Sequence, residues 1–107
     1  MEEESSYCII TTAFDDKENA ENTIKALVEE RLVVCAHTIN IQSMYWWDGK
    51  IENHPEYFVQ MKTKKSLFKE IEKRIKELHN YEVPEIAMID IKDGSKEFLD
   101  WIEKETK

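Results

Sequence analysis

The chain has 107 residues, with 23 Asp and Glu against 15 Lys and Arg and a formal charge of −8 at pH 7. That balance repels phosphate backbones and anionic lipid, so it argues against nucleic acid and favours cationic partners. Two cysteines outside any C-x-x-C arrangement, a start (MEEESS) without basic or apolar signal character, and no run of 18 apolar residues predict a cytoplasmic protein with no membrane insertion.

Residues 1–6 are expected to be a disordered acidic tail, and 7–107 one domain. The β-branched run from Tyr7 to Thr12 predicts a first strand. Asp15, three residues before Glu18, has capping-box spacing, and Ala20, Ile24, Leu27 and Val28 follow at helical offsets to about Glu30. From Leu32 to Trp47 the chain reads as extended, interrupted near Asn40. Asp48-Gly49 turns it back through Lys50–Lys62, because Asp-Gly suits the positive φ angles of a type I′ hairpin. Irregularity is expected at His54-Pro55, where proline cannot donate to a ladder. Leu67, Phe68, Ile71, Ile75 and Leu78 mark a second helix, with Glu70–Arg74 and Glu72–Lys76 as four-apart pairs on its wet side. Glu85–Ile91 is a fourth strand, and Ser95 caps a last helix carrying Phe98, Leu99, Trp101 and Ile102. The order βαββαβ plus a helix predicts an α+β, ferredoxin-like domain with a long β-hairpin arm and a C-terminal helix.

In that hairpin Trp47 faces Lys50, Trp46 faces Ile51 and Tyr45 faces Glu52, while Met44 shares a face with Trp46. One face is apolar and the other is aromatic with charge. Two strands that outrun their sheet are marginal in water, so the aromatics need a second surface. Either the last helix folds over the arm, or Tyr45, Trp46, Trp47 and Ile51 form an interface between subunits closed by cyclic symmetry.

Taken together, the runs YCIITTAFDDKENA, LVEERLVVCA, MYWWDGKIE, QMKTK, ELHNYEVPEI and FLDWI resemble the CutA family of divalent-cation tolerance proteins, over nearly the whole chain after residue 6. The resemblance implies a ferredoxin-like homotrimer with exchanged hairpin arms, and an architecture similar to PII signalling proteins, whose inter-subunit clefts hold ligands. The chain departs from the family pattern in two places. It has Asn80 where the family usually has proline, and it lacks the usual proline bend between the cysteine and the tryptophans. In some bacterial members copper is associated with a cysteine in the first strand and a histidine pair. The matching positions here are Thr11, Leu78 and His79, so only His79 is retained.

Cys35 and His37 lie two apart on one strand face, a ligand-like spacing that a buried thiol beside a polar edge residue also explains. His79 ends a helix before the extended Tyr81–Glu85 segment. Together His79, Tyr81, Glu85 and Lys62 predict a small polar cleft, which a helix-end hydrogen-bond network would equally explain, and a trimer would bring it near the hairpin aromatics, Trp47 among them, of a neighbouring chain. Glycine-rich phosphate loops, nucleophile elbows and catalytic cysteine signatures are missing from the sequence, so no enzyme is predicted. The expectation is a binding protein for divalent cations, Cu(II) first among them, with His79, Glu85 and Cys35 as candidate ligands. A PII-like metabolite sensor and a ligand-free scaffold are the alternatives.

Overall fold

Strand β1 (Tyr7–Phe14) lies inside the sheet of the computed structural model, which describes residues 5–107. Helix α1 (Lys17–Glu29) follows, and the carboxylate of Asp16 accepts from Glu18 N–H. The cap falls one residue after the predicted Asp15, because Asp16 holds the extended backbone (φ −124°, ψ 122°) that an N-cap needs. Arg31 then takes a left-handed backbone (φ 59°), and Leu32 N–H closes onto Leu27 O at 2.9 Å to end the helix.

Strands β2 (Cys35–Trp47) and β3 (Lys50–Lys64) pair in one unbroken register, from Cys35 opposite Lys62 to Trp47 opposite Lys50. Positive φ at both Asp48 (51°) and Gly49 (74°) makes the predicted type I′ turn. The predicted interruption near Asn40 does not occur. Without a proline, every residue there can hold its place in the ladder, and Asn40 sits opposite Tyr57. Nor does Pro55 break the pairing. Counted from the closing pair, Gln42 and Pro55 form a non-hydrogen-bonded pair, so the missing N–H would have pointed away from β2, beyond the end of β1.

A short 3₁₀ turn (Lys65–Leu67) leads into α2 (Phe68–Leu78), followed by β4 (Ala87–Asp90) and α3 (Lys96–Glu105), which Ser95 caps as predicted. All pairings are antiparallel in the order β2-β3-β1-β4, giving the expected α+β architecture. Cys8, Ile10 and Phe14 of β1 and Val59 and Met61 of β3 point to one side, where Leu27 of α1 and Ile71 and Ile75 of α2 close over them. Burial in this core pushes the Cys8 thiol up to about 11. Arg74 does not take the predicted four-apart partner Glu70. It reaches across to Glu30 of α1 at 2.9 Å, while the Glu72–Lys76 pair forms. Most of the predicted tail lies outside the described residues, but Ser6 O already accepts from Lys65 N–H, one residue before the predicted start.

Helix α3 docks where β1 begins and β3 ends. Tyr7 Oη donates to Glu103 at 3.2 Å, and Lys107 N–H donates to Arg31 O at 2.9 Å. That end is opposite the hairpin tip, so the last helix does not cover the arm. Beyond Tyr57, β3 pairs only with β2, from Ile41–Glu56 to Trp47–Lys50, and the arm projects about 23 Å at the usual strand rise. Its apolar face is open, with Trp46 72%, Met44 69% and Ile51 59% exposed.

Two substitutions test this packing by chemical denaturation at one fixed protein concentration. Leu27→Ala is expected to cost about 2–5 kcal/mol by opening a core cavity. Thr12 Oγ1 is buried without a hydrogen-bond partner among the described residues, so Thr12→Val is expected to add about 1 kcal/mol. A loss on Thr12→Val would show that its hydroxyl is satisfied.

Candidate functional site: an acidic aromatic cleft

Alternation along the hairpin puts Tyr45, Trp47, Glu52, His54 and Glu56 on the sheet face that the helices leave uncovered. Facing them is the irregular Asn80–Glu85 segment, which bends through residues 80–83 ahead of Pro84. Between the two walls lies a cleft of about 860 Å³, with Ala13 of β1 also lining it.

Side chains tie the second wall in place. Tyr81 Oη donates to the Glu56 carboxylate, and Thr11 Oγ1 donates to Glu85 Oε2 at 2.8 Å. Asn19 of α1 clamps the end of α2, donating to Leu78 O at 2.9 Å and accepting from Asn80 N–H at 3.0 Å. A proline at position 80, the residue usual in the resembling family, would have no N–H for that bond. Burial, reinforced by the bond to Glu56, pushes the Tyr81 phenol far above its ordinary range, so it stays protonated and donates.

His79 sits beneath this wall rather than in the cleft. It is 8% exposed and stacks on Phe14, with ring centroids 4.1 Å apart. Its Nε2 lies 2.7 Å from Ala13 O, and its Nδ1 accepts from Tyr81 N–H at 3.0 Å. A carbonyl can only accept and an amide can only donate, so the ring is the neutral Nε2–H tautomer with both nitrogens engaged. Burial lowers its pKa, partly opposed by the Ala13 carbonyl. At His54, Nδ1–H donates to Pro55 O at 3.1 Å, and Nε2 lies 2.6 Å from Tyr45 Oη.

Of the residues read from the sequence, Tyr81, Glu85 and Trp47 line the cleft and His79 supports it. Lys62 and Cys35 are cross-strand partners elsewhere. Lys62 lies opposite Ile9, about 13 Å along β1 from Ala13, and its Nζ contacts His37 Nδ1 at 3.2 Å. The fourfold set of Lys62, His79, Tyr81 and Glu85 is therefore not brought together within one chain. The same holds for the ligand set of His79, Glu85 and Cys35. Among the described residues, no group of three or more His, Cys, Asp or Glu side chains could hold a metal ion.

Three residues escaped the sequence reading: Glu52, Glu56 and Asn19. The hairpin register that placed Tyr45 opposite Glu52 also puts Glu56 on the same face, so two of the three were available from the Asp-Gly turn alone. Asn19 gave no such signal, because its role depends on how α1 packs against the end of α2.

Acid sensitivity tests the His79 assignment. Because the folded chain holds His79 neutral, the unfolded chain binds its proton first as pH falls. Stability is then present above the ordinary histidine pKa of about 6.5 and declines below it, toward the lowered folded value. Unfolding followed between pH 8 and 5 is expected to lose stability across that window in the wild type, and to lose less of it in His79→Gln. Identical slopes would contradict the neutral, doubly bonded ring.

A family model described as CutA1 divalent ion tolerance protein matches residues 8–105. The divalent-cation tolerance protein CutA of Pyrococcus horikoshii is 44% identical over 99 residues, covering 92% of this chain and 97% of that one. The solved structure of the periplasmic divalent cation tolerance protein CutA of Archaeoglobus fulgidus superposes with a TM-score of 0.92 at 37% identity, over 94% of this chain and 99% of that chain. A chloroplastic CutA 1 of Oryza sativa is 29% identical, covering 92% of this chain and 56% of the rice protein. By its matched length, its fold and its identity to these proteins, the chain belongs to the CutA1 divalent ion tolerance family.

Proposed function

We propose that the protein is a homotrimer that binds divalent cations in the acidic aromatic cleft, and that it serves cation tolerance by binding rather than by catalysis. One observation carries this reading. Glu52, Glu56, Glu82 and Glu85 line the cleft, and no Lys or Arg does. Four carboxylates without a counter-charge from their own chain, in a chain of net charge −8, set up a local potential that concentrates cations.

Assembly follows from what the sheet leaves unfinished. Its two free edges are β2 and β4, and every residue of β4 is exposed. Joining β2 of one chain to β4 of the next is a head-to-tail contact, which closes into a ring when the rotation allows. Three is the number the family resemblance supplies. Such a ring covers Met44, Trp46 and Ile51, and it brings residues of one chain toward the cleft of another.

Cu(II) prefers imidazole nitrogen to carboxylate oxygen alone. In this reading Glu85 is the ligand supplied by the cleft wall, and Cys35 with Lys62 approaches from a neighbouring protomer. His79 coordinates only by releasing Tyr81 N–H, and otherwise acts by holding the wall. A PII-like sensor using the same inter-subunit clefts is the second reading, favoured by aromatic walls that a hydrated ion does not use. The compartment proposed is the cytoplasm, as the sequence predicts. No helix among the described residues is long and apolar enough to cross a membrane.

Native mass spectrometry of the protein with about one equivalent of Cu(II) per chain reads assembly and uptake together. The expected result is a trimer taking up as many as three ions, with uptake weakened about tenfold or more in Glu52→Gln/Glu85→Gln, the effect of removing two charges from the site. A monomer, or a trimer indifferent to copper, would overturn the corresponding half of the proposal. Because folding and association are linked, the thermal midpoint is also expected to rise with protein concentration. A reversible transition that dilution leaves unmoved would contradict obligate assembly.

A further inference from the structure

We infer that Pro55 is a specificity-determining residue of assembly: with His54 it closes the outer edge of β3 in the arm, so that another copy of the chain can add a strand to the arm along β2 alone. The inference rests on the proposed head-to-tail assembly, and goes beyond it in naming what forbids the competing contact.

The arm has two edges. Tyr57 is the last β3 residue with a partner in β1, and past it the side of β3 that faced β1 runs on toward the tip with no strand of its own chain beside it. Backbone groups on that side belong to alternate residues, those in non-hydrogen-bonded pairs with β2, namely Pro55, Asn53 and Ile51. Pro55 is the first of them after Tyr57. It has no N–H to give, and its carbonyl accepts from His54 Nδ1–H at 3.1 Å. The missing N–H is covalent and holds whatever lies alongside. Only Asn53 and Ile51 then remain before the turn, short of the roughly three residues of the shortest ordinary strands.

The outer edge of β2 presents the contrast. Its outward residues, from Ala36 through Thr38, Asn40, Gln42 and Met44 to Trp46, include no proline. A strand from another copy therefore finds a continuous ladder on β2 and an interrupted one on β3. The difference decides the kind of assembly. Pairing β2 with β4 uses one edge of each kind per chain and leaves none over when a ring closes, whereas a competent β3 edge would stay unfilled and link one ring to another. Proline on an open edge prevents such edge-to-edge growth, and here it stands where the cover of β1 stops.

Sedimentation velocity and native mass spectrometry of the wild type, Pro55→Thr and Pro55→Ala over a range of protein concentrations test this. Both substitutions restore an N–H at an exposed position outside the core. The wild type is expected to stay one assembly, and each variant to add a species of about twice that mass as concentration rises, from two β3 edges pairing with each other. In that species the amides of Asn53 and of position 55 are expected to exchange slowly. Asn53 also points its N–H outward, so a proline there leaves the β2 ladder intact, and Pro55→Thr/Asn53→Pro is expected to abolish the doubled species. Variants that keep the wild-type mass at every concentration, or a doubled species that survives the moved proline, would overturn the inference and leave the head-to-tail assembly standing. A monomeric wild type whose position-55 variants pair would uphold the closed edge and sink the head-to-tail assembly instead.

Discussion

Everything distinctive about this chain depends on one constraint, the unbroken antiparallel register of β2 and β3. Because side chains alternate strictly along a strand, one register decides the fate of every residue from Cys35 to Lys62. It places Tyr45, Trp47, Glu52 and Glu56 on the face that becomes the cleft wall, and Met44, Trp46 and Ile51 on the other. A slip of one residue would turn the carboxylates to the other face of the arm. The type I′ turn at Asp48-Gly49, with both residues at positive φ, secures the register at its tip. The pairing of β3 with β1 secures it at its base.

The second wall is held by a chain of polar contacts that begins in the core. Phe14 is fully buried and stacks on His79; His79 bonds the backbone at Ala13 and Tyr81; Tyr81 bonds Glu56 on the arm. The core thus positions the cleft through one neutral imidazole, and the arm and body are linked by a phenol that keeps its proton. This arrangement gives His79 a part different from that of an open ligand. A ring with both nitrogens committed to the backbone directs its neighbours, and the carboxylates that line the cleft lie beyond it.

Much of this was legible in the residues. Element order, the Ser95 cap, the turn type and the cross-strand partners of Trp47, Trp46 and Tyr45 all follow from local signals, namely alternation, helical spacing and backbone preference. The misreadings share a cause in long-range geometry. Pro55 is harmless because β1 ends before reaching it, and Arg74 chooses Glu30 because α1 lies alongside. Lys62 was grouped with the cleft because it ends the third strand in sequence, and Cys35 was a candidate ligand for its spacing from His37, yet the ladder sets both several residues down the sheet from Ala13. Residues 79–85 were readable as a site segment because they carry a histidine, a tyrosine, two glutamates and a proline within seven positions. Their partners Asn19 and Glu56 came from other elements and needed the fold.

The central claim is that the arm and the free β2 edge are covered by another copy of the chain. Amide hydrogen exchange of the assembled protein tests it most directly, because the N–H groups of Thr38, Asn40, Gln42 and Met44 point away from β3 by the same count that explains Pro55. If a neighbour pairs with this edge, a run of these amides exchanges slowly, as ladder amides do, and loses that protection on dissociation. If they exchange like open surface amides while the alternate β2 amides facing β3 stay protected, the edge is free and the account of a closed assembly is wrong.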